Sequence, residues 1–327
     1  MAIKIYKKDL LVGGAVVVVF LLLSWLMPVK TSFLLSRILI MMLFGTAVNI
    51  MFGYGGMIAF GQAMFLGFGS YSFVILLSKF HMPYVLAIAG SILMTVVFSY
   101  FISILVLRVQ ALTLGMLFMG MNLLLYNVAN YVPWLGGGVG ISYACRPGFA
   151  TSDKSFLVFT LAVVAVCFGI MYVILHSPFN QIIKGIRENE MRLTYLGINT
   201  KRVKQLMIMI SSTFCGIAGI LYAMLNSGAY VTYLDTNISI QGLTMCLLGG
   251  MFTFWGPSIG ATVITFINVY IAGKTVYHRF ILGVILILVI YFFPGGVLGY
   301  GGDDKGRVKD FFGKIMGAWR GGKRENE

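Results

Sequence analysis

The residues equipped for acid–base, nucleophilic or metal chemistry are sparse in this sequence and stand far apart. Of 327 residues, ten are Asp or Glu and three are His, and His81, His176 and His278 lack the His-x-x-x-His spacing that puts two imidazoles on one helix face. The four cysteines, Cys145, Cys167, Cys215 and Cys246, have neither metal-site nor dithiol spacing. Asp235 is the only acid between Glu190 and Asp303, so general acid–base work would have no second carboxylate nearby in sequence. These residues assemble no enzyme site, and no cofactor or metal is expected on the chain. A proton-coupled carrier needs an ionisable group at membrane depth; the nearest candidate, Arg37, stands near the start of an apolar segment, where its long side chain can reach the interface. Sodium coupling through carbonyls and hydroxyls stays open.

Charge concentrates in one stretch. Residues 184–190 read Lys184-Gly185-Ile186-Arg187-Glu188-Asn189-Glu190, followed by Arg192, Gly197, Lys201, Arg202 and Lys204. Ile182, Ile183 and Ile186 give its first part an amphipathic face at helical spacing, which Leu193 and Leu196 continue more weakly. A short helix of this kind lies across a surface, docking to a soluble protein or resting among lipid headgroups. Glycine is the second signal. Residues 53–71 hold Gly53, Gly55, Gly56, Gly61, Gly67 and Gly69, a spacing that fits close helix packing or a broken helix around a cavity. No Lys-Ser/Thr follows and no strand precedes, so this is no phosphate loop. Gln62 within the stretch and Asn49 just before it are amides that need partners in apolar surroundings and are candidates to line a route. A second small-residue array, Ser211, Ser212, Gly216, Ala218, Gly219 and Ala223, fits packing equally well.

The elements that carry these residues are membrane spans. The chain is 59% hydrophobic and 10% charged, and its charge-free runs, among them 38–78, 80–107, 109–145, 155–183, 205–234 and 236–273, each exceed the ~20 residues that cross a bilayer. Expected spans are 10–27, 34–52, 57–78, 84–107, 110–130, 156–176, 205–226, 240–254, 257–273 and 279–294. The pair at 240–273 is short and reads as two short helices or a re-entrant hairpin joined at Trp255-Gly256-Pro257. The fold class is therefore all-α, a polytopic integral membrane protein with about ten (eight to ten) transmembrane helices. With an even number of spans, 17 of the 24 Lys and Arg fall on one side, at 4–8, 108, 184–204 and 305–324, which makes that side cytoplasmic and places both termini there. The net charge of +14 thus reads as membrane orientation, with no element for nucleic-acid binding. Residues 1–302 form the transmembrane domain, 176–204 a cytoplasmic segment within it, and 303–327 a basic cytoplasmic tail. The external stretch 131–154, rich in glycine, either covers the outer mouth, docks a partner or only connects two spans.

Five segments in order carry a resemblance: the 53–71 glycine stretch; Gly185 to Glu190 with Leu196-Gly197-Ile198-Asn199 and Lys204; Phe214-Cys215-Gly216-Ile217-Ala218-Gly219; Leu248-Gly249-Gly250 through Trp255-Gly256-Pro257-Ser258-Ile259-Gly260; and Tyr291 to Gly299. Together they resemble the LivM-type permeases of the branched-chain amino acid ABC importers over roughly residues 35–300. The resemblance implies a non-catalytic permease in a bacterial or archaeal plasma (inner) membrane. Its partners would be membrane lipid, a LivH-like second permease, two cytoplasmic ATP-binding subunits that use the ATP, and an extracytoplasmic solute-binding protein. Leucine, isoleucine or valine would be the solute; urea and short amides are carried by the same permease class, and an ion-coupled secondary transporter is the remaining alternative. By position, Gly185, Arg187, Glu188, Asn189, Glu190, Gly197 and Lys204 would couple to the ATPase, while the candidate translocation pathway draws on Asn49, Gln62, Ser70 and Tyr71.

Overall fold

The computed structural model describes residues 29–109, 111–150 and 152–272, with the isolated positions 280, 283, 284, 287 and 296. The expected span 10–27, the expected span 279–294 apart from positions 280, 283, 284 and 287, the tail 303–327 and, apart from Gly296, the 291–299 motif lie outside the described residues. In hydrocarbon a backbone must satisfy its own hydrogen bonds, so long uncharged runs fold as helices. Among the described residues the α-helices are α1 (Val29–Asn49), α2 (Ala63–Ser78), α3 (Tyr84–Val106), α4 (Ala111–Tyr131), α5 (Asp153–Leu175), α6 (Pro178–Tyr195), α7 (Thr200–Asn226), α8 (Thr236–Gly249) and α9 (Gly256–Ala272). α1 runs on into a π-helical turn, Ile50–Tyr54. Two-residue strands β1 (Ile141–Ser142) and β2 (Gly228–Ala229) pair antiparallel and are the only sheet among the described residues. Among the described residues four helices are long and apolar enough to cross a membrane: Thr31–Tyr54, Tyr84–Val106, Asp153–Leu175 and Thr200–Asn226.

Starts are set by local chemistry. Pro178 opens α6, where a missing N–H is harmless; Asn199 caps α7 by accepting from the Arg202 amide, and Asp235 caps α8 by accepting from that of Asn237. Asp235 accordingly moves the expected 240–254 element to 236–249. The expected span 57–78 changes more. Residues 57–59 are irregular and 60–62 form a turn, with Met57 and Ala59 buried and Ile58 and Phe60 exposed, and the helix begins only at Ala63. The break lies inside the bundle: a Cβ on Gly61 would come 2.2 Å from the Phe118 carbonyl oxygen, and one on Gly115 would come 2.8 Å from that of Ile58. The first N–H of α2, left without an intrahelical partner, donates to Ser239 Oγ of α8 at 2.8 Å.

α8 is also a partial span. Asn122, near the middle of α4, donates through Nδ2 to the Leu234 carbonyl at 3.0 Å and to Thr236 Oγ1 at 3.2 Å, so α8 starts about half-way along α4. Its 14 residues rise about 21 Å. α9 returns against it antiparallel: Cβ atoms on Gly249 and Gly260 would come 1.8 and 2.0 Å from the carbonyl oxygens of Gly256 and Met245. The two expected short elements are therefore separate helices joined by a tight turn at residues 250–255.

The two small-residue arrays meet each other. A Cβ on Gly219 would lie 1.9 Å from the Leu66 carbonyl oxygen, and one on Gly69 would lie 2.4 Å from that of Gly216, so α2 and α7 cross with backbones in contact. α1 is central, with 83% of its apolar window buried; α3 and α5, at 28% and 39%, lie outside. Hydroxyls and a thiol join the inner helices, Ser211 Oγ donating to Ala47 O at 2.7 Å and Cys246 Sγ to Gly45 O at 3.3 Å. Phe44, Phe65, Phe73, Phe118 and Phe156 are fully buried among them.

The 131–154 stretch is fastened down. β1 pairs Ile141 with Ala229, Lys79 stacks on Trp134, and Arg146 binds Asp153 at 2.6 Å and the Leu225 carbonyl at 3.2 Å. Cys145 is buried within it, and that desolvation pushes its thiol up to about 12. The thiolate is the nucleophile, so at pH 8 Cys145 is expected to resist iodoacetamide, whereas Ala144→Cys, at an exposed position, labels readily. Labelling rates across pH 7–10 in folded protein check this; equal rates for the two thiols would contradict it.

Candidate functional site

The charged segment, the helix break and the α8–α9 turn converge on one junction. α6 is two helical arms bent at Asn189, whose φ and ψ of −161° and 100° are extended. Asn189 Oδ1 accepts from the Arg192 amide at 3.1 Å and so caps the second arm. The bend folds the arms together at Gly185, where a Cβ would lie 2.9 Å from Leu193 Cδ1. Ile183 and Ile186 are buried, as the amphipathic pattern expected, while Ile182 is half-buried. Lys204 pairs with Glu190 at 2.6 Å and ties the second arm to the start of α7. Glu188 and Asn189 face outward and are exposed.

Arg187 is the inward-reaching member. Its Nη1 donates to the Gly53 carbonyl in the π-turn at 2.7 Å, and its guanidinium sits 4.7 Å above the Phe252 ring in the α8–α9 turn. Gly56 lies beneath its stem, where a Cβ would be 2.6 Å from Arg187 Cγ. One side chain thus touches the surface segment, the broken helix and the hairpin turn together. The turn is pinned from α1 as well, since Asn49 Nδ2 donates to the Thr253 carbonyl at 3.3 Å and Gly53 packs against Met251. Gly296 reaches the same turn, a Cβ there falling 2.4 Å from the Gly250 nitrogen.

Gly197 ends α6. It has φ +81°; its amide donates to Thr194 O at 3.0 Å and that of Ile198 to Leu193 O at 3.1 Å, a Schellman pair. Nothing lies within 4 Å of an added Cβ, so a substitution meets only backbone strain. Gly197→Ala is expected to destabilise this turn by about 1 kcal/mol. Gly197→Asn should cost less and Gly197→Val more; hydrogen exchange of the Ile198 amide reads the order, and equal protection in all three would refute the cap.

The four pathway candidates divide into two pairs. Asn49 and Gln62 bracket the break: Gln62 Nε2 lies 2.7 Å from the Met51 sulfur, and Cys215 Sγ donates to Gln62 Oε1 at 3.6 Å. Ser70 and Tyr71 lie two turns up α2, Ser70 Oγ donating to Gly67 O at 2.7 Å. All four are buried in this conformation, and Asn49 Oδ1 and the Tyr71 hydroxyl make no hydrogen bond among the described residues. Several participants carry no motif signal. Ser239 sits in an ordinary apolar run, and Met191 and Tyr195, both exposed on the second arm, show only an i, i+4 spacing. No group of three or more His, Cys, Asp or Glu comes together among the described residues.

Comparison with known proteins places the chain. The family model described as branched-chain amino acid transport system / permease component matches residues 30–290. The Escherichia coli K12 high-affinity branched-chain amino acid permease protein LivM is 24% identical over 149 residues, 45% of this chain and 35% of the relative. A probable LivM permease of Methanocaldococcus jannaschii is 24% identical over 183 residues, 50% of this chain and 53% of the relative. The Escherichia coli K12 LivH permease is 27% identical over 146 residues, 44% of this chain and 46% of the relative. The alignments therefore span about a third to a half of these relatives, and both LivM and LivH are among them. No solved structure matches the chain significantly. With four fifths of its length matched by one family model, the chain belongs to the branched-chain amino acid transport system permease component family, whose members are non-catalytic permease subunits.

Proposed function

We propose that this chain is the LivM-type transmembrane subunit of an ATP-driven importer that carries leucine, isoleucine or valine inward. The observation that carries this reading is the Arg187 junction, because it gives a force applied at α6 a direct route to the helix break and the α8–α9 turn. Cytoplasmic ATP-binding subunits seat on the exposed second arm of α6, at Met191, Tyr195 and Leu196, with Glu188 at the rim. A LivH-like permease completes the pathway, and an extracytoplasmic binding protein delivers solute to the opposite face. The chain spans the plasma membrane of a bacterium or archaeon about ten times, with both termini and the basic tail in the cytoplasm.

Broken helices at membrane depth are tolerated where they line a cavity, and they put helix ends and free carbonyls where a zwitterion passes. The break at 55–62 and the half-way start of α8 supply such ends. Asn49 Oδ1 and the Tyr71 hydroxyl, unpaired in the closed conformation, take water or solute when the break opens, with Gln62 and Ser70 beside them. Switching requires that solute and nucleotide favour different conformations, not that either bind tightly.

The test is ATPase activity of the co-purified complex in lipid, with its binding protein titrated by leucine, isoleucine, valine and then urea. Stimulation by a branched-chain amino acid is expected. Stimulation by urea alone would reassign the solute, and uptake driven by an ion gradient without any ATPase would overturn the import reading.

A further inference from the structure

On the face opposite α6, Arg37 stands in α1 six residues below Thr31, where the membrane-length segment begins, or about 9 Å along the helix. Its guanidinium carbon is 5.9 Å from the centroid of the Tyr222 ring on α7, at a matching depth one turn before that helix ends at Asn226. Tyr222 meets Tyr233 edge-on at 4.8 Å. Two groups in this cluster lack partners among the described residues. Arg37 is half-buried and has neither ion pair nor hydrogen bond there. The Tyr233 side chain is 5% exposed and its O–H finds no acceptor among the described residues, while the neighbouring Asn226 amide donates to the Tyr222 carbonyl at 3.1 Å. Asp235, the acid nearest in sequence, is engaged by Asn237 at the start of α8.

A cation inside a membrane protein is costly until an anion joins it, and a buried phenol without an acceptor is costly too. One ligand chemistry relieves both. A carboxylate accepts two parallel hydrogen bonds from a guanidinium and has lone pairs left for a phenolic O–H, while the Tyr222 face holds the guanidinium in place. We infer that Arg37, Tyr222 and Tyr233 form the station where the carboxylate of an amino acid solute is received as it enters the permease. This deepens the import reading and rests on it. It also separates the candidate solutes, since urea and short amides present a carbonyl without the charge and leave Arg37 unneutralised. A lipid phosphate offers the same anionic chemistry, so the test distinguishes the two sources.

The complete transporter, reconstituted with its ATPases and leucine-loaded binding protein, is assayed for ATPase stimulation and for radiolabelled leucine delivered per ATP hydrolysed. Arg37→Gln is expected to keep the stimulation, which reports docking and coupling, and to lower delivery about tenfold. Arg37→Lys should recover part of it, and Tyr233→Phe, which deletes one hydroxyl and no charge, should lower delivery about threefold. Wild-type delivery ratios in Arg37→Gln and Tyr233→Phe would overturn the station. A loss of reconstituted complex with an unchanged ratio would also overturn it, assigning Arg37 to a lipid phosphate. If the wild-type complex imports urea and no amino acid, the station falls while ATP-driven import stands; absence of any ATP-linked uptake removes the import reading itself.

Discussion

Arg187→Ala is expected to leave the protein inserted and its partners bound, while ATP hydrolysis no longer drives solute across and no longer responds to loaded binding protein. The side chain makes a charge-assisted hydrogen bond to the Gly53 carbonyl and covers Phe252, so it joins α6 to both the π-turn and the α8–α9 turn. A hydrogen bond to a charged group contributes about 1.5–3 kcal/mol, which corresponds to about a tenfold to hundredfold bias between two conformations. Arg187→Lys keeps the charge but lacks the planar fork that both donates and stacks, so it should recover only part of the coupling. Glu188→Lys separates docking from transmission, because Glu188 is exposed and its reversal should weaken ATPase binding without touching Gly53. The measurement is solute transported per ATP in proteoliposomes, and a wild-type ratio in Arg187→Ala would remove the junction from the mechanism.

Gly219→Leu acts on the fold itself. Its Cβ would lie 1.9 Å from the Leu66 carbonyl oxygen, a backbone atom that cannot turn aside as a side chain can, so α2 and α7 must separate. Overpacking of this kind costs about 1–3 kcal/mol in ordinary cores, and here separation also disturbs the neighbouring Gly69–Gly216 contact. The expected result is a large loss of monodisperse protein in detergent and a lowered thermal midpoint. Gly169→Ala in α5 is the control, since nothing lies within 4 Å of its added Cβ and alanine is the better helix former. Equal behaviour of the two variants would mean that the α2–α7 crossing is not what holds the bundle together.

Much of the candidate site was legible from residue types. Ile183 and Ile186 at helical spacing marked the buried face of α6, and the neighbouring charges marked its surface position. The long uncharged runs located α1, α3, α4, α5 and α7 to within a few residues, because crossing hydrocarbon demands length and apolarity whatever the neighbours are. The expected helix at 57–78 shows where that reasoning stops. Hydropathy is blind to whether apolar residues are helical or irregular, and residues 57–62 are not helical because the close approach of the α4 backbone to Gly61 and the Ser239 hydroxyl that accepts from the Ala63 amide make a late helix start favourable.

The same division separates the residues within the site. Arg187, Glu188, Asn189 and Glu190 look alike as a surface cluster, and their distinct tasks depend on direction: Glu188 outward, Glu190 across to Lys204, Arg187 inward to Gly53. Direction was set by the bend at Asn189 and by which helices lay beneath. Composition and spacing by themselves determined that this chain is built of long apolar helices, and which face of its charged segment is buried, since those follow from solvation and helix period. Only the tertiary structure decided that the two glycine arrays clasp one another, that α2 and α8 begin inside the bundle and that one arginine joins three elements, because each depends on contacts between residues as many as 176 positions apart.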